Sequence, residues 1–107
     1  MLLVVEMWYP ANKGLEIGKV YFEAMKKFPD DKTIAKPIIR TAIHATKEGM
    51  HNISISSIKP GKVKEVMGLA SGRMLMFAAV EGFKYTIYIA YDLAEAMPFV
   101  GLEAPSE

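Results

Sequence analysis

The feature that most constrains the fold of this chain is the order of its hydrophobic periodicities. Four segments alternate with the period of two that is typical of β-strands, and two longer segments have the three-to-four spacing of helices packed on a core. The clearest alternation runs from Phe83 to Tyr91, and Pro10 ends the first strand. The elements are predicted in the order strand, helix, strand, strand, helix, strand. Their predicted bounds are 2–9, 15–28, 38–45, 51–58, 60–80 and 83–91.

The stretch 74–80 is open to two interpretations. A helix that starts near Pro60 and continues through it is favoured, because 74–80 shows no period-two alternation. Gly68 and Gly72 weaken that helix, since glycine costs about 1 kcal/mol against alanine in a helix interior. The alternative ends the helix near Gly72 and makes 74–80 a strand. The predicted core stripes of the two helices are Leu15, Gly18, Phe22 and Met25, and Val63, Val66, Met67, Ala70, Met74, Phe77 and Ala78.

After the last strand, Asp92 followed by Glu95 forms a capping-box pattern that predicts a short terminal helix. Pro98 limits its length, and a loose tail is predicted from about residue 103. The whole chain, 1–107, is short enough that we expect a single domain.

The two middle strands are predicted to form a hairpin with a three-residue loop, 47–49, in which Gly49 takes the left-handed position. That register pairs residue 44 with 52 and residue 40 with 56. It places His44 and His51 on opposite faces, where they cannot share a metal ion within one subunit. The expected core side carries Ile39, Thr41, Ile43, Ile53 and Ile55. The expected outer side carries Arg40, Ala42, His44, Asn52, Ser54 and Ser56.

This element order predicts an α+β fold of the ferredoxin-like βαββαβ type, with a four-stranded antiparallel sheet and both long helices on one face. The other face is then open. It is expected to mix polar side chains with exposed Leu2, Val4, Trp8 and Ile58, and such a patch usually marks an interface. We therefore expect a second copy of the chain to pair with this face as a homodimer.

The chain resembles the dimeric α+β barrel superfamily over residues 2–92, in element order, length and face polarity. The ending, 81–85 and 94–102, is similar to that of small uncharacterised prokaryotic proteins of this shape. The resemblance implies two ferredoxin-like subunits packed sheet against sheet around a cavity. Members include small monooxygenases, isomerases, haem proteins and effector-binding domains.

Composition excludes several classes of function. The chain has no cysteine, which rules out disulfides, thiolate metal sites and thiol nucleophiles. A net charge of +1 argues against nucleic acid as a partner. No signal sequence or membrane span is predicted, so we expect a cytoplasmic protein without membrane contact. No metal or cofactor is predicted. The absence of glutamine is typical of heat-adapted proteins.

The predicted site is a cluster on the open face. Glu6, Arg40 and His44 are the candidate catalytic residues, since a carboxylate or an imidazole can move a proton and a guanidinium binds anions. The competing interpretation is that Glu6 and Arg40 form ion pairs across a subunit interface while Trp8 fills space. The predicted ligand-binding residues are Trp8, Ser54, Ser56 and Tyr88.

Three functions follow from these patterns. The leading hypothesis is a homodimer that binds a small anionic or aromatic molecule between its paired sheets. The second is an isomerase or cofactor-free monooxygenase that uses His44 and Arg40. The third is a structural or assembly module without a ligand. A phosphate site at Lys59, Lys62 and Lys64 is less favoured, because no glycine-rich phosphate loop is present.

Overall fold

The computed structural model describes residues 1–103 and shows an α+β fold with one four-stranded antiparallel sheet. The strand order is β2-β3-β1-β4, so β1 and β3 are central. Residues 104–107, which include most of the predicted loose tail, lie outside the described residues. The elements are β1 (Leu2–Tyr9), α1 (Gly14–Lys27), β2 (Ala35–Thr46), β3 (Gly49–Ile58), α2 (Val63–Leu75), β4 (Lys84–Ala90) and α3 (Leu93–Ala96), with short 3-10 turns at Ala11–Lys13 and Met97–Val100.

The core forms where the odd-numbered side chains of β1 meet both long helices. Because strand side chains alternate, these residues share one face of the sheet. We call it the covered face, and we call the other side the open face. One buried cluster joins Met7 and Tyr9 to Ile17, Ala24, Met74, Phe77 and Val80, and a second joins Leu3 to Ile34, Ile58, Val66 and Ala70.

Helix α1 buries a different stripe from the one predicted. Leu15 and Phe22 were expected in the core but are exposed, at 76% and 68% of their surface, whereas Ile17 and Ala24 are buried. Both sets have helical spacing, because α1 carries apolar residues on more than one side.

Helix α2 follows its predicted stripe more closely, with Val66, Ala70 and Met74 buried. The regular helix ends at Leu75 and the chain continues in tighter turns, in which Phe77 N donates to Met74 O at 3.0 Å. The predicted helix over 74–80 therefore forms only as far as Leu75. The alternative strand over 74–80 is wrong, because the rest of this stretch forms turns. A Cβ on Gly72 would lie 2.8 Å from the ring of Phe28, which explains a glycine inside this helix.

The β2–β3 hairpin differs from the prediction in its turn and in its register. The turn has two residues, Lys47 and Glu48, so Thr46 pairs with Gly49 and His44 pairs with His51. Gly49 has the expected positive φ, at 132°, and a Cβ there would lie 2.5 Å from Tyr9 O. The pairing then shifts by one residue in each of two places, between 37 and 39 and between 39 and 42. Such shifts are β-bulges.

The change of one residue in the turn reverses the predicted faces of β3. Val5 on the covered face pairs with Ser54, and Glu6 on the open face pairs with Ile53. Asn52, Ser54 and Ser56 therefore lie on the covered face, and His51, Ile53 and Ile55 lie on the open face.

The terminal helix forms as predicted. The Asp92 side chain accepts a hydrogen bond from Glu95 N at 2.8 Å, and Glu95 in turn accepts one from Asp92 N at 3.1 Å. These two bonds complete the capping box. Among the helices of residues 1–103, none is both long and apolar enough to cross a membrane.

Candidate functional site

The predicted cluster is divided between the two faces of the sheet, which corrects the expectation of a single site. Glu6, Trp8 and Tyr88 lie on the open face, and His44 joins them because it pairs with His51. Ser54 and Ser56 lie on the covered face, and Arg40 reaches the same side through the bulged part of β2. Arg40 and His44 therefore do not form one catalytic group.

A cavity of about 350 Å³ lies between the helices and the covered face. Most of its lining is apolar, and its polar side chains come from β2 and β3, from Arg73 of α2 and from Asp30 and Asp31 in the loop after α1. Serine side chains at 54 and 56 leave space where larger residues would fill the gap below α1 and α2, because protein interiors otherwise pack closely. Lining residues include Leu3, Val5, Ile17, Met25, Phe77, Thr41, Asn52, Ser54 and Ser56.

Asn52 is the one buried polar residue in the described part of the chain, with 4% of its surface exposed. Tyr9 Oη donates a hydrogen bond to Asn52 Oδ1 at 3.1 Å, which fixes the orientation of the amide. Within residues 1–103, Asn52 Nδ2 donates no side-chain hydrogen bond. Every fully buried side-chain nitrogen or oxygen in this part of the chain has a partner, so Nδ2 is not fully buried. The Nδ2 group is therefore accessible to the cavity that Asn52 lines.

An ion-pair network lies at the edge of this cavity. Asp30 accepts hydrogen bonds from Arg40 Nη2 at 2.8 Å and from Arg73 Nη2 at 3.0 Å, which links β2 to α2. Arg73 also donates to Phe28 O, from Nε at 2.8 Å and from Nη2 at 2.6 Å. The hydrogen bond from Arg40, followed by that from Arg73, holds the pKa of Asp30 below its usual value. The Asp30 and Tyr21 side chains raise the pKa of Arg40.

A second polar network crosses the open face. Glu6 Oε1 lies 2.9 Å from His51 Nε2, and His51 Nδ1 lies 2.7 Å from His44 Nε2. Trp8 stacks on the His51 ring with centroids 5.0 Å apart and planes at 17°. Tyr88 Oη donates to Glu6 Oε2 at 3.1 Å. Partial loss of solvent and then this contact with the Glu6 carboxylate raise the pKa of Tyr88.

The hydrogen-bond network assigns the histidine tautomers. An ionised Glu6 only accepts hydrogen bonds, so His51 Nε2 carries a proton and donates it to Glu6. In the neutral His51 ring the other nitrogen, Nδ1, is then a lone-pair acceptor for the Nε2 proton of His44. The two imidazoles and the carboxylate form one connected chain across three strands.

Sequence reasoning missed Tyr9, His51 and Asn52 as site residues. His51 was assigned to the face opposite His44, which is wrong because the two-residue turn sets them directly across from each other. A two-residue hairpin loop at Lys47 and Glu48 was the available signal, since two-residue loops are the commonest hairpin connections.

No family model, curated protein or solved structure matches the chain. Within residues 1–103, no group of three or more histidine, aspartate and glutamate side chains has the spacing of a metal site. The function is therefore argued from the cavity and the two networks alone.

Proposed function

We propose that this chain is a ferredoxin-like protein that works as a homodimer and binds a small, mostly apolar molecule in the cavity between its helices and its sheet. The strand order β2-β3-β1-β4, with β1 and β3 central, supports the fold. So does the packing of both long helices against the odd-numbered side chains of β1. The sequence placed the ligand between paired sheets, and the proposal moves it to the covered face.

The composition of the open face supports the homodimer. An antiparallel sheet that faces water usually carries polar side chains on that side. Here Leu2, Ile53 and Ile55 lie on it and Trp8 is 38% exposed, whereas Val4, which was expected to be exposed, is buried within the chain. Four strands about 4.8 Å apart, each with about eight residues at about 3.4 Å, give roughly 500 Å² per copy. Two such faces bury about 1,000 Å², which is the lower limit of a specific interface.

The cavity supports small-molecule binding by its size and chemistry. Its volume of about 350 Å³ lies within the range of ligand pockets. A mostly apolar wall with few polar groups is typical of such sites, because the polar groups orient the ligand while the wall supplies the binding free energy. The serine hydroxyls of Ser54 and Ser56 and the guanidinium of Arg40 lie on its polar side.

The observation that carries the proposal is the Asn52 amide. A fully buried polar group without a partner costs about 1–3 kcal/mol, and Asn52 Nδ2 avoids that cost because it stays accessible from the cavity. Tyr9 fixes the carbonyl end of Asn52, and the amide nitrogen is left to donate into the cavity. The expected ligand is therefore a small apolar or aromatic molecule with a carbonyl or carboxylate oxygen that accepts from Asn52.

The test uses two adjacent serines that lie on opposite faces. An apolar fluorescent probe, 8-anilinonaphthalene-1-sulfonate, is titrated into the parent chain and into Ser56→Phe and Ser57→Phe. Ser56 lines the cavity, and Ser57 pairs with Leu2 on the open face. We expect saturable binding to the parent and to Ser57→Phe, and at least a 10-fold weaker affinity for Ser56→Phe. Loss of binding only in Ser57→Phe would instead locate the ligand between paired sheets.

The homodimer has its own test. Sedimentation equilibrium compares the parent with Ile53→Lys, at the centre of the open face, and with Leu15→Lys, on the exposed side of α1. A parent dimer that becomes a monomer only in Ile53→Lys supports the pairing of open faces, because a buried lysine would lose its hydration. A parent that sediments as a monomer at micromolar concentration would exclude the homodimer.

The two alternative functions are separated by the same measurements. An assembly module without a ligand is the result if the parent dimerises but no small molecule binds in the cavity. The enzyme hypothesis no longer rests on Arg40 and His44 together, since they lie on different faces.

A further inference from the structure

The two histidines of the chain meet on the open face in an arrangement that the proposed ligand cavity does not use. They lie directly across from each other on β2 and β3, and His51 Nδ1 is 2.7 Å from His44 Nε2. His44 is exposed, while the side chain of His51 is 17% exposed. Two imidazole nitrogens thus meet at one point of the surface.

We propose that His44 Nε2 and His51 Nδ1 bind one copper(II) ion, with Glu6 as the outer carboxylate that orients His51. A histidine that binds a metal almost always donates its other ring N–H to a carboxylate or carbonyl, which fixes the tautomer and raises ligand basicity. His51 does this already, since Nε2 donates to Glu6 at 2.9 Å. That bond leaves the Nδ1 lone pair as the ligand.

The two nitrogens are close enough to become neighbouring ligands of one ion. Metal–imidazole bonds are about 2.0–2.1 Å long, so neighbouring ligands are about 2.9 Å apart in a square-planar or tetragonal site and about 3.3 Å apart in a tetrahedral one. The observed 2.7 Å is the length of their hydrogen bond, and a small turn of the exposed His44 ring separates the nitrogens to such a distance. Imidazole ligands suit copper(II), which is also the tightest divalent ion of its row.

Copper binding requires only two small changes, both in the His44 side chain. The ion replaces the proton that His44 Nε2 shares with His51, so the neutral His44 ring must carry its proton on Nδ1 instead and must turn toward the ion. An exposed ring makes both changes through solvent. In a single chain, where the open face is uncovered, the remaining copper positions are filled by water, because residues 1–103 offer no third histidine or carboxylate at metal spacing.

The experiment uses the only tryptophan in the chain as its reporter. Trp8 stacks on His51, so copper(II) bound there is expected to quench its fluorescence. Copper(II) chloride is titrated at pH 7.5 into the full chain, and the electron paramagnetic resonance spectrum counts the nitrogens on the ion. We expect saturable quenching with one ion per chain and nitrogen hyperfine splitting from two imidazoles.

Three variants and one control decide the result. His44→Ala and His51→Ala are each expected to weaken copper binding at least 10-fold, and Glu6→Gln about 10- to 100-fold. Lys84→Met, across from Trp8 on β4, serves as the control and is expected to bind as the parent does. Since His44 is exposed, His44→Ala is expected to keep the fold, which circular dichroism checks. Quenching that His44→Ala leaves unchanged, or a spectrum without imidazole nitrogen, would overturn the proposal.

Discussion

The two central strands present opposite polarity to the same helices. On β1 the covered face is apolar, with Leu3, Met7 and Tyr9 buried. On β3 the covered face carries Asn52, Ser54 and Ser56, while Ile53 and Ile55 lie on the open face. Neighbouring strands of one sheet usually agree on which face is apolar, since both contribute to one core.

The difference means that β3 presents small polar side chains to the helices and apolar side chains to the open face. Under the helices, β1 supplies packing and β3 supplies small polar groups, so a cavity forms between them. On the other side, Ile53 and Ile55 lie on the open face and are partly exposed, beside the buried Val4. The proposed function assigns each face of β3 its own partner: a ligand on the covered side and a second copy on the open side.

The largest expected effect comes from truncating a core residue on the covered side. Phe77 is 1% exposed and stacks on Phe83 with ring centroids 5.0 Å apart. Phe77→Ala removes this packing and leaves a void, so we expect the free energy of unfolding to fall by about 3–5 kcal/mol. Urea denaturation measures it. Ile55→Ala on the open face is the comparison.

The two truncations are expected to differ in their dependence on protein concentration. The loss in Phe77→Ala is the same at all concentrations, because the contact lies within one chain. The loss in Ile55→Ala grows with concentration if a second copy covers the open face, since association stabilises the folded state by mass action. Equal behaviour of the two variants across a 100-fold range would contradict the proposed difference between the faces.

An intermediate effect is expected at the polar group of the covered face. Asn52→Leu removes the acceptor of Tyr9 Oη, and an unpaired buried hydroxyl costs about 1–3 kcal/mol. Adding Tyr9→Phe removes the hydroxyl itself, so the double variant is expected to recover most of that loss. Thermal unfolding of the two single variants and the double variant gives the coupling. A double variant no more stable than Asn52→Leu would show that this hydrogen bond does not determine the polarity of β3.

The smallest effect is expected at Asp30, whose pKa is held below its usual value by Arg40 and Arg73. A carboxylate with a lowered pKa in the folded state stabilises the fold above its unfolded pKa, and the contribution is lost as the pH falls through the folded value. Asp30 is partly exposed, so Asp30→Asn is expected to cost at most about 1 kcal/mol at pH 7.

The pH profile provides the control for Asp30. The difference in unfolding free energy between the parent and Asp30→Asn is expected to be constant from pH 7 down to about 5 and to shrink at lower pH. A difference that increases on acidification would have the wrong sign for a paired carboxylate.

The sequence was sufficient for the element order and for the local signals that lie within a few residues. The capping box of Asp92 and Glu95 and the buried stripe of α2 both depend on such short-range patterns. The faces of β3 depended instead on one residue in the turn at Lys47 and Glu48. Two- and three-residue hairpin loops are both common, and Gly49, which suits the left-handed third position of a three-residue loop, favoured the wrong one.

The site was harder to predict than the fold for the same reason. Each of its parts combines residues that are distant in the chain, such as Glu6 with His51 or Arg40 with Arg73. A register error of one residue moves every side chain of the strand to the other face of the sheet and so changes all of its neighbours. The predicted cluster contained Glu6, Arg40, His44 and Tyr88, but their partners Asp30, Arg73 and His51 required the register and the tertiary packing.

Each of the two bulges of β2 adds one residue to the strand, so the second bulge restores the alternation of faces that the first one reverses. Ala35 and Ala45, outside the bulges, pair with residues of the covered face, whereas Ile39, between them, pairs with Ile55 of the open face. Only in the short stretch between the bulges do even-numbered residues lie on the covered face, and this brings Arg40 to Asp30. Deleting one residue there would remove a single shift and exchange the faces of 35–37 while leaving the histidine pair untouched. A length variant at this point would separate the cavity from the open-face network.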